Sequence, residues 1–174
     1  HPLPSRARHA LARLPGVIRA EPLRIVPVEL VSGHRSHRTV LMGLDHDARL
    51  RRLVTSDLRT VPIPSEGVML TAKLAEMLGV EPGDMLTINV LEGSRRTHTA
   101  PVSGLVDELL GLSAYMETAA LSRLLREQRT LSGALLRIDP QYRESLYRDI
   151  KLLPAIGGVA IRESTVESFE KTLQ

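Results

Sequence analysis

Apolar and turn-forming residues follow each other most regularly between residues 68 and 106. In this segment a short apolar strand leads into a helical repeat that ends at Gly79, and a turn at Gly83 and Asp84 precedes two alternating strands joined by the tip 92–96. Glycine directly after an apolar helical repeat is typical of a helix C-terminus, since it enters the left-handed conformation without steric cost. Residues 68–106 are therefore predicted to form a strand, a helix and a β-hairpin in that order.

The N-terminal third predicts one helix and one long hairpin. Residues 5–14 repeat apolar positions at helical spacing, whereas 17–31 and 39–44 are rich in Val, Ile and Leu. The polar stretch 32–38 is the predicted tip between these strands. Prolines in the first strand predict an edge position or a bend, because proline cannot donate a ladder hydrogen bond. Residues 45–64 predict a short helical turn followed by a surface connector.

Strands and helices alternate in the C-terminal part of the chain. The predicted elements are a strand at 114–116, a helix at 117–128, a strand at 131–138, a helix at 141–152, a strand at 159–161 and a helix from Ser164. Together with the preceding elements, this order predicts an α+β fold in which helices back a mixed sheet, rather than a doubly wound sheet.

The amino-acid composition excludes several classes of function but does not indicate a particular one. The chain has 174 residues, which fits one domain or two small lobes, and it has no cysteine for a disulfide or a zinc ribbon. The net charge is only +3, and the aromatic residues are one Phe and three Tyr. Because there is no long basic stripe and there are few rings for base stacking, the sequence does not predict a nucleic-acid partner.

The chain lacks the ~20 consecutive apolar residues that a membrane-spanning helix needs. It begins at His1 without an initiator Met and stops inside a helical pattern. We therefore expect 1–174 to be a single domain excised from a longer protein, in which neighbouring segments hold the membrane spans.

Histidines and serines offer no convincing catalytic or metal site. His34 and His37 are three residues apart, and with His98 they fall at predicted hairpin tips that lack a nearby carboxylate ligand. Asp45, His46 and Asp47, with Ser56 or Ser65, contain the residue types of a hydrolase triad, but no serine has the Gly-x-Ser-x-Gly surroundings of a nucleophile elbow. Asp45 is more simply the cap of a short helix over 48–53. Gly-rich phosphate loops are absent as well. The sequence predicts no catalytic residue, no metal and no cofactor.

Two basic hairpin tips and one apolar loop are the surfaces that the sequence offers to a partner. Basic side chains at a tip can meet phosphate headgroups or an acidic protein, and an exposed apolar loop can contact lipid or protein. The candidate contact residues are His34, Arg35, His37, Arg38, Arg95, Arg96, Leu109, Leu110 and Leu112.

Several motifs occur in a characteristic order along nearly the whole chain. They are Leu-Pro-Gly-Val at 14–17, Gly-Leu-Asp at 43–45, the Leu-Gly-Val helix at 70–80, Gly-Asp at 83–84, Val-x-Gly-Leu-Val-Asp at 102–107 and Ala-Tyr-Met with its helix at 114–125. This order resembles the extracytoplasmic domain of FtsX-like, MacB-type ABC transporter permeases.

The resemblance implies a non-enzymatic periplasmic or extracellular module between two transmembrane helices. It implies two lobes, approximately 1–64 plus 131–174 and an inserted, smaller, β-rich lobe of 65–130. The full-length membrane protein is then expected to be a dimer or pseudo-dimer with a cytoplasmic ATPase subunit. Outside the membrane, a lipid-linked or protein partner is expected in lipoprotein release, efflux or control of cell-wall hydrolases. Substrate, direction of transport and subtype stay open.

The helix, Leu-Gly turn, Gly-Asp and strand pattern also resembles small double-psi barrels. The alternative is therefore a stand-alone, soluble ligand-binding or scaffolding domain. Flanking apolar segments of about 20 residues would favour the permease over this alternative.

Overall fold

A computed structural model describes residues 3–4, 6–48, 53–55, 59–108, 111–127 and 130–153. In these ranges the strands are β1 (Leu3–Pro4), β2 (Val17–Ser32), β3 (Arg35–Leu44), β4 (Leu53–Val54), β5 (Thr60–Val61), β6 (Val68–Thr71), β7 (Met85–Val90), β8 (Thr97–Val106), β9 (Ala114–Glu117), β10 (Thr130–Leu131) and β11 (Gly133–Ile138). The helices are α1 (Arg6–Ala12), α2 (Ala72–Leu78), α3 (Thr118–Leu125) and α4 (Arg143–Lys151), and a 3₁₀ turn (Pro140–Tyr142) precedes α4.

Six strands close into a barrel in the order β2, β3, β9, β6, β8 and β7, because β7 pairs again with β2. The pairs β3–β9 and β6–β8 are parallel, and the other pairs are antiparallel. Closure gives each of the six strands a hydrogen-bonded neighbour on both sides. The sheet is mixed and carries helices, so the predicted α+β class is confirmed.

Strand β2, which has 16 residues, pairs with β3 and also with two further strands, one after the other. Its first half pairs with β11, with Leu23 opposite Gly133, and its last residues pair with β7, beginning at Val28. Pro27 lies between these two pairings, and its carbonyl accepts a hydrogen bond from the Leu91 amide at 2.9 Å. The proline therefore falls where β2 changes neighbours, and its missing N–H faces away from β3.

Alternate residues of the barrel strands build two apolar clusters. Leu41 and Leu70 lie in the larger cluster, whereas the adjacent Met42 and Met69 lie in the smaller one. Adjacent strand residues point to opposite faces, so the larger cluster fills the barrel and the smaller one lies on its outer surface. There the smaller cluster includes Leu53 of β4, so the β4–β5 hairpin covers it.

Local predictions for the N-terminal hairpin and the following connector need correction. The turn consists of Gly33 and His34, and residues from Arg35 onward already belong to β3, because the ladder continues to the pair of Ser32 and Arg35. The predicted helix over 48–53 is wrong at its end, where Leu53 lies in β4.

The predicted lobes share the barrel. Strands β2 and β3 come from 1–64, and β6 to β9 come from 65–130, so the predicted boundary runs between strands of one hydrogen-bonded sheet. The division into lobes itself stays a prediction. The predicted strand at 159–161 and the helix from Ser164 lie outside the described residues. Within the described ranges, no helix is long and apolar enough to cross a membrane.

Candidate functional site

Arg24 is a buried charged residue with several hydrogen-bond partners, and its side chain is only 5% exposed. Its Nη2 donates to Glu92 Oε1 at 2.6 Å and to Glu127 Oε1 at 2.9 Å, and its Nη1 donates to Ser132 Oγ at 3.2 Å. Burying an arginine is costly unless carboxylates and hydrogen-bond acceptors compensate its charge. Here both are supplied.

The partners of Arg24 come from three separate segments. Glu92 begins the β7–β8 tip, Glu127 follows α3, and Ser132 separates β10 from β11. Ser132 Oγ also accepts a hydrogen bond from the Ile25 amide at 2.9 Å. One buried guanidinium therefore holds the tip, the end of α3 and the start of β11 against β2. Sequence reasoning missed this network, although a charged residue inside the apolar run 23–28 was a usable signal.

The bonds of Glu92 and Glu127 to Arg24 bring the β7–β8 tip near the end of α3. The basic residues at this place are Arg95, Arg96, His98 and Arg126, and we call them the basic rim. The three arginines are exposed, and His98 is half-buried. Burial, and then the charges of Arg126 and Arg96, lower the pKa of His98 below its ordinary value of 6.5. The rim therefore joins the predicted tip arginines to Arg126, a residue that the sequence did not single out.

Two rim residues have unusual backbone conformations. Arg95 has φ of 49° and Arg126 has φ of 53°, and within the described ranges these are the non-glycine residues with positive φ. The left-handed conformation is unfavourable for a residue with a Cβ. At Arg126 it ends α3, where the Arg126 amide donates to the Arg123 carbonyl at 3.2 Å.

The two predicted basic tips lie at opposite ends of the barrel. Strand β2 runs toward the Gly33 turn, and its antiparallel neighbour β7 runs toward the tip at 92–96. Their C-terminal ends must therefore lie at opposite ends. The first end carries His34, Arg35, His37 and Arg38, whereas the second carries Arg95 and Arg96. The structure thus does not join the predicted basic residues into one patch.

The predicted apolar contact loop is only partly described. Leu109 and Leu110 lie outside the described residues. Leu112 is partly buried against the barrel core, and its carbonyl accepts a hydrogen bond from Thr39 Oγ1. This leucine stabilises the barrel in addition to any contact that it makes with a partner.

A cavity of about 450 Å³ lies beside the Asp45, His46 and Asp47 turn. Its apolar wall includes Leu53 and Ile63, and among the described residues no serine lines it. Ser65 is therefore not brought to the Asp45, His46 and Asp47 turn, whereas Ser56 lies outside the described residues. Among the described residues, no group of three His, Cys, Asp or Glu side chains is arranged to hold a metal ion.

Comparison with known proteins identifies the fold through structure, not through sequence. No protein-family model matches the chain, and no curated protein matches its sequence. The extracellular domain of the noncanonic ABC-type transporter YknZ from Gram-positive bacteria is 16% identical, with a TM-score of 0.58 over 83% of this chain and 78% of that one. The periplasmic region of MacB from Actinobacillus actinomycetemcomitans is 14% identical, with a TM-score of 0.60 over 98% of this chain and 82% of that one. This chain has the fold of a MacB-type periplasmic domain.

The MacB-type fold confirms the resemblance that the ordered motifs indicated. At these identities the agreement lies in the arrangement of strands and helices. The Arg24 network and the basic rim are described from the residues of this chain alone, because the likeness to MacB extends only to the fold.

Proposed function

We propose that the chain is a non-enzymatic extracytoplasmic domain of an ABC transporter permease in the cell membrane. The observation that carries this proposal is the likeness in fold to the periplasmic region of MacB over 98% of the chain. In this proposal the domain binds a substrate or a lipid-linked or protein partner outside the cell. It transmits motion that a cytoplasmic ATPase subunit drives, and the full-length protein acts as a dimer or pseudo-dimer.

The pairing of β2 supports a role in transmitting motion. Because β2 pairs with β11 in its first half and closes the barrel in its second half, a displacement of the β11 side reaches the barrel through one continuous strand. The Arg24 network adds side-chain bonds at the same place. Rigid elements of this kind carry hinge or shear motions between layers. Lipoprotein release, efflux and control of cell-wall hydrolases are the proposed uses of such motion.

The surfaces predicted from the sequence remain proposed contacts for the partner. They comprise both basic tips, which lie at opposite barrel ends, and the loop that contains Leu109, Leu110 and Leu112. A partner that touches both tips must therefore span the length of the barrel or bind in two places.

A test of the proposed function begins with the native gene product in its host. We expect it to stay with the membrane after a high-salt wash, to be accessible to protease added outside the cytoplasm, and to co-purify with an ATPase. A chain recovered from the soluble fraction without an ATPase would contradict the proposal.

The closed six-stranded barrel favours one alternative, a stand-alone ligand-binding or scaffolding domain. The cavity of about 450 Å³ has the size of a small-molecule site. A soluble native protein that binds a small molecule in this cavity would support the alternative. The two functions are therefore separated by the same fractionation.

A further inference from the structure

We propose that the basic rim of Arg95, Arg96, His98 and Arg126 binds the phosphate groups of anionic lipid headgroups. The choice of lipid as the source of phosphate rests on the proposed function, which places a membrane beside the domain. The site is distinct from the opposite basic tip and includes one arginine from the end of α3.

The positive charges of the rim are not neutralised by the acidic side chains of the Arg24 network. The two acidic residues that the Arg24 network brings to this place, Glu92 and Glu127, both bind Arg24. Within the described part of the chain, no hydrogen bond or ion pair engages the guanidinium groups of Arg95, Arg96 and Arg126. These groups are exposed, so they are available to an external anion.

The rim is also held in place by bonds that do not use its own guanidinium groups. The Val90 amide donates to the Arg96 carbonyl at 3.0 Å, which fixes the end of the tip. The Arg126 amide is bonded to the last turn of α3, and the adjacent Glu127 is bonded to Arg24. Fixing the backbone in this way reduces the conformational entropy that binding must remove.

Phosphate suits this group of side chains. A guanidinium offers paired N–H donors that match two oxygens of a phosphate, and a helix-end arginine and a tip arginine can approach one headgroup layer from two segments. Each arginine near an anionic surface contributes a binding factor of about fivefold.

The rim lies on the side of the domain where the described chain begins. Strand β1 pairs with β10, with Pro4 opposite Thr130, and Arg126 precedes Thr130 by four residues. Four residues of extended chain span at most about 14 Å. The proposed function requires a membrane span before residue 3, and a short link from that span to β1 would place the rim close to the headgroups.

The first experiment measures binding of the chain to vesicles of phosphatidylglycerol and phosphatidylcholine in equal parts, by co-sedimentation at low salt. The double variant R96Q/R126Q is expected to bind about 25-fold more weakly, which is fivefold for each arginine. The matched control R137Q/R148Q removes the same charge from exposed positions on β11 and α4 and is expected to bind within twofold of the unchanged chain. An equal loss in both variants would overturn the proposal, because it would mean that net charge alone drives binding.

Two further variants keep the result interpretable. R96K/R126K retains the charge at the rim but loses the paired guanidinium donors, so it is expected to bind more tightly than R96Q/R126Q and more weakly than the unchanged chain. A variant of the opposite tip, R35Q/R38Q, is expected to bind nearly as well as the unchanged chain. Loss at the opposite tip without loss at the rim would overturn the assignment.

The source of the phosphate is separated by competition. Inorganic phosphate at millimolar concentration is expected to leave vesicle binding largely unchanged, since a headgroup layer presents many phosphates at once. Equal binding to inorganic phosphate and none to vesicles would overturn the lipid as ligand. The two proposals can also fail separately. If the chain binds vesicles but the native protein is soluble in its host, the proposed function is contradicted, whereas the rim is still a phosphate-binding site.

Discussion

Glu92 Oε1 accepts a hydrogen bond from Arg24 Nη2 at 2.6 Å, and this contact holds the β7–β8 tip to the strand that links β11 with the barrel. The tip and β2 are also neighbours in the sheet, so the ion pair adds to an existing backbone pairing. Arg24 is the buried partner, and both carboxylates are about one-third exposed. The network is therefore best tested from the arginine.

Replacing Arg24 with methionine should lower the free energy of unfolding by about 2–3 kcal/mol, because two carboxylates lose their common cation and a buried position loses its hydrogen bonds. The matched control is R38M, since Arg38 is 78% exposed and pairs with Glu29 at 3.4 Å. Exposed pairs contribute only about 0–1 kcal/mol. Urea denaturation of both variants gives the comparison, and equal losses would refute the special role of Arg24.

Local backbone signals made most of the individual strands and turns predictable from the sequence, but not the barrel that they form. The helix C-terminus at Gly79 and the turn at Gly83 are local, and so they were visible without knowledge of the fold. The return pairing of β7 with β2 joins residues far apart in sequence. Apolar alternation determines which face is buried but not which strand lies beside it, so closure of the barrel could not be derived from the pattern.

The site was predictable only in part, for the same reason. Arg95 and Arg96 were identified because they occur together in a hairpin tip. Arg126 follows an ordinary helix, and its place beside His98 depends on how α3 packs in the fold. Charged residues that meet only through tertiary contacts leave no spacing in the sequence.

Gly67 should tolerate no side chain. A Cβ at this residue would lie 2.8 Å from the Pro101 carbonyl oxygen, and Gly67 has φ of 80°. G67A should therefore lower stability by about 2 kcal/mol or more, since backbone atoms must move as well as adopt strained dihedral angles. The matched control is G93A, because Gly93 has φ of 57° and open space around its Cβ direction. Thermal denaturation of G67A and G93A separates the cost of the steric clash from the cost of the positive φ. Equal losses of stability in the two variants would show that the clash contributes nothing.

Glu117 should act as the N-terminal cap of α3. Its Oε2 accepts a hydrogen bond from the Ala120 amide at 2.9 Å, and the residue is only 8% exposed. We expect E117A to lose about 1 kcal/mol of stability, because it leaves that amide without its acceptor. E117Q retains an amide oxygen and should lose less than half as much. Chemical denaturation of the unchanged chain, E117Q and E117A gives their free energies of unfolding. Equal stability of E117Q and E117A would contradict the prediction.

His98 should make the fold less stable on acidification. Its pKa in the folded chain is below 6.5, through burial first and then the charges of Arg126 and Arg96. As the pH falls below 6.5, the unfolded chain takes up a proton before the folded chain does, so the free energy of unfolding decreases until the folded pKa is passed. H98Q should show a flatter dependence in this window. Urea midpoints measured from pH 7.5 to 5 for both proteins provide the test, and identical slopes would show that His98 does not contribute.

Arg126 should have opposite effects on stability and on binding. Its backbone has a φ of 53°, which glycine adopts freely, and its guanidinium charge acts on the nearby His98 side chain. Replacement by glycine at this helix C-terminus should therefore raise stability by about 1 kcal/mol. The same variant should weaken vesicle binding about fivefold, because one rim cation is lost. R126Q is the matched control, since it removes the charge but keeps the backbone strain, and it should show the loss of binding without most of the gain in stability. If R126Q gained as much stability as R126G, the gain would come from relief of charge repulsion and not from the backbone. If both variants bound vesicles as well as the unchanged chain, Arg126 would not belong to the rim.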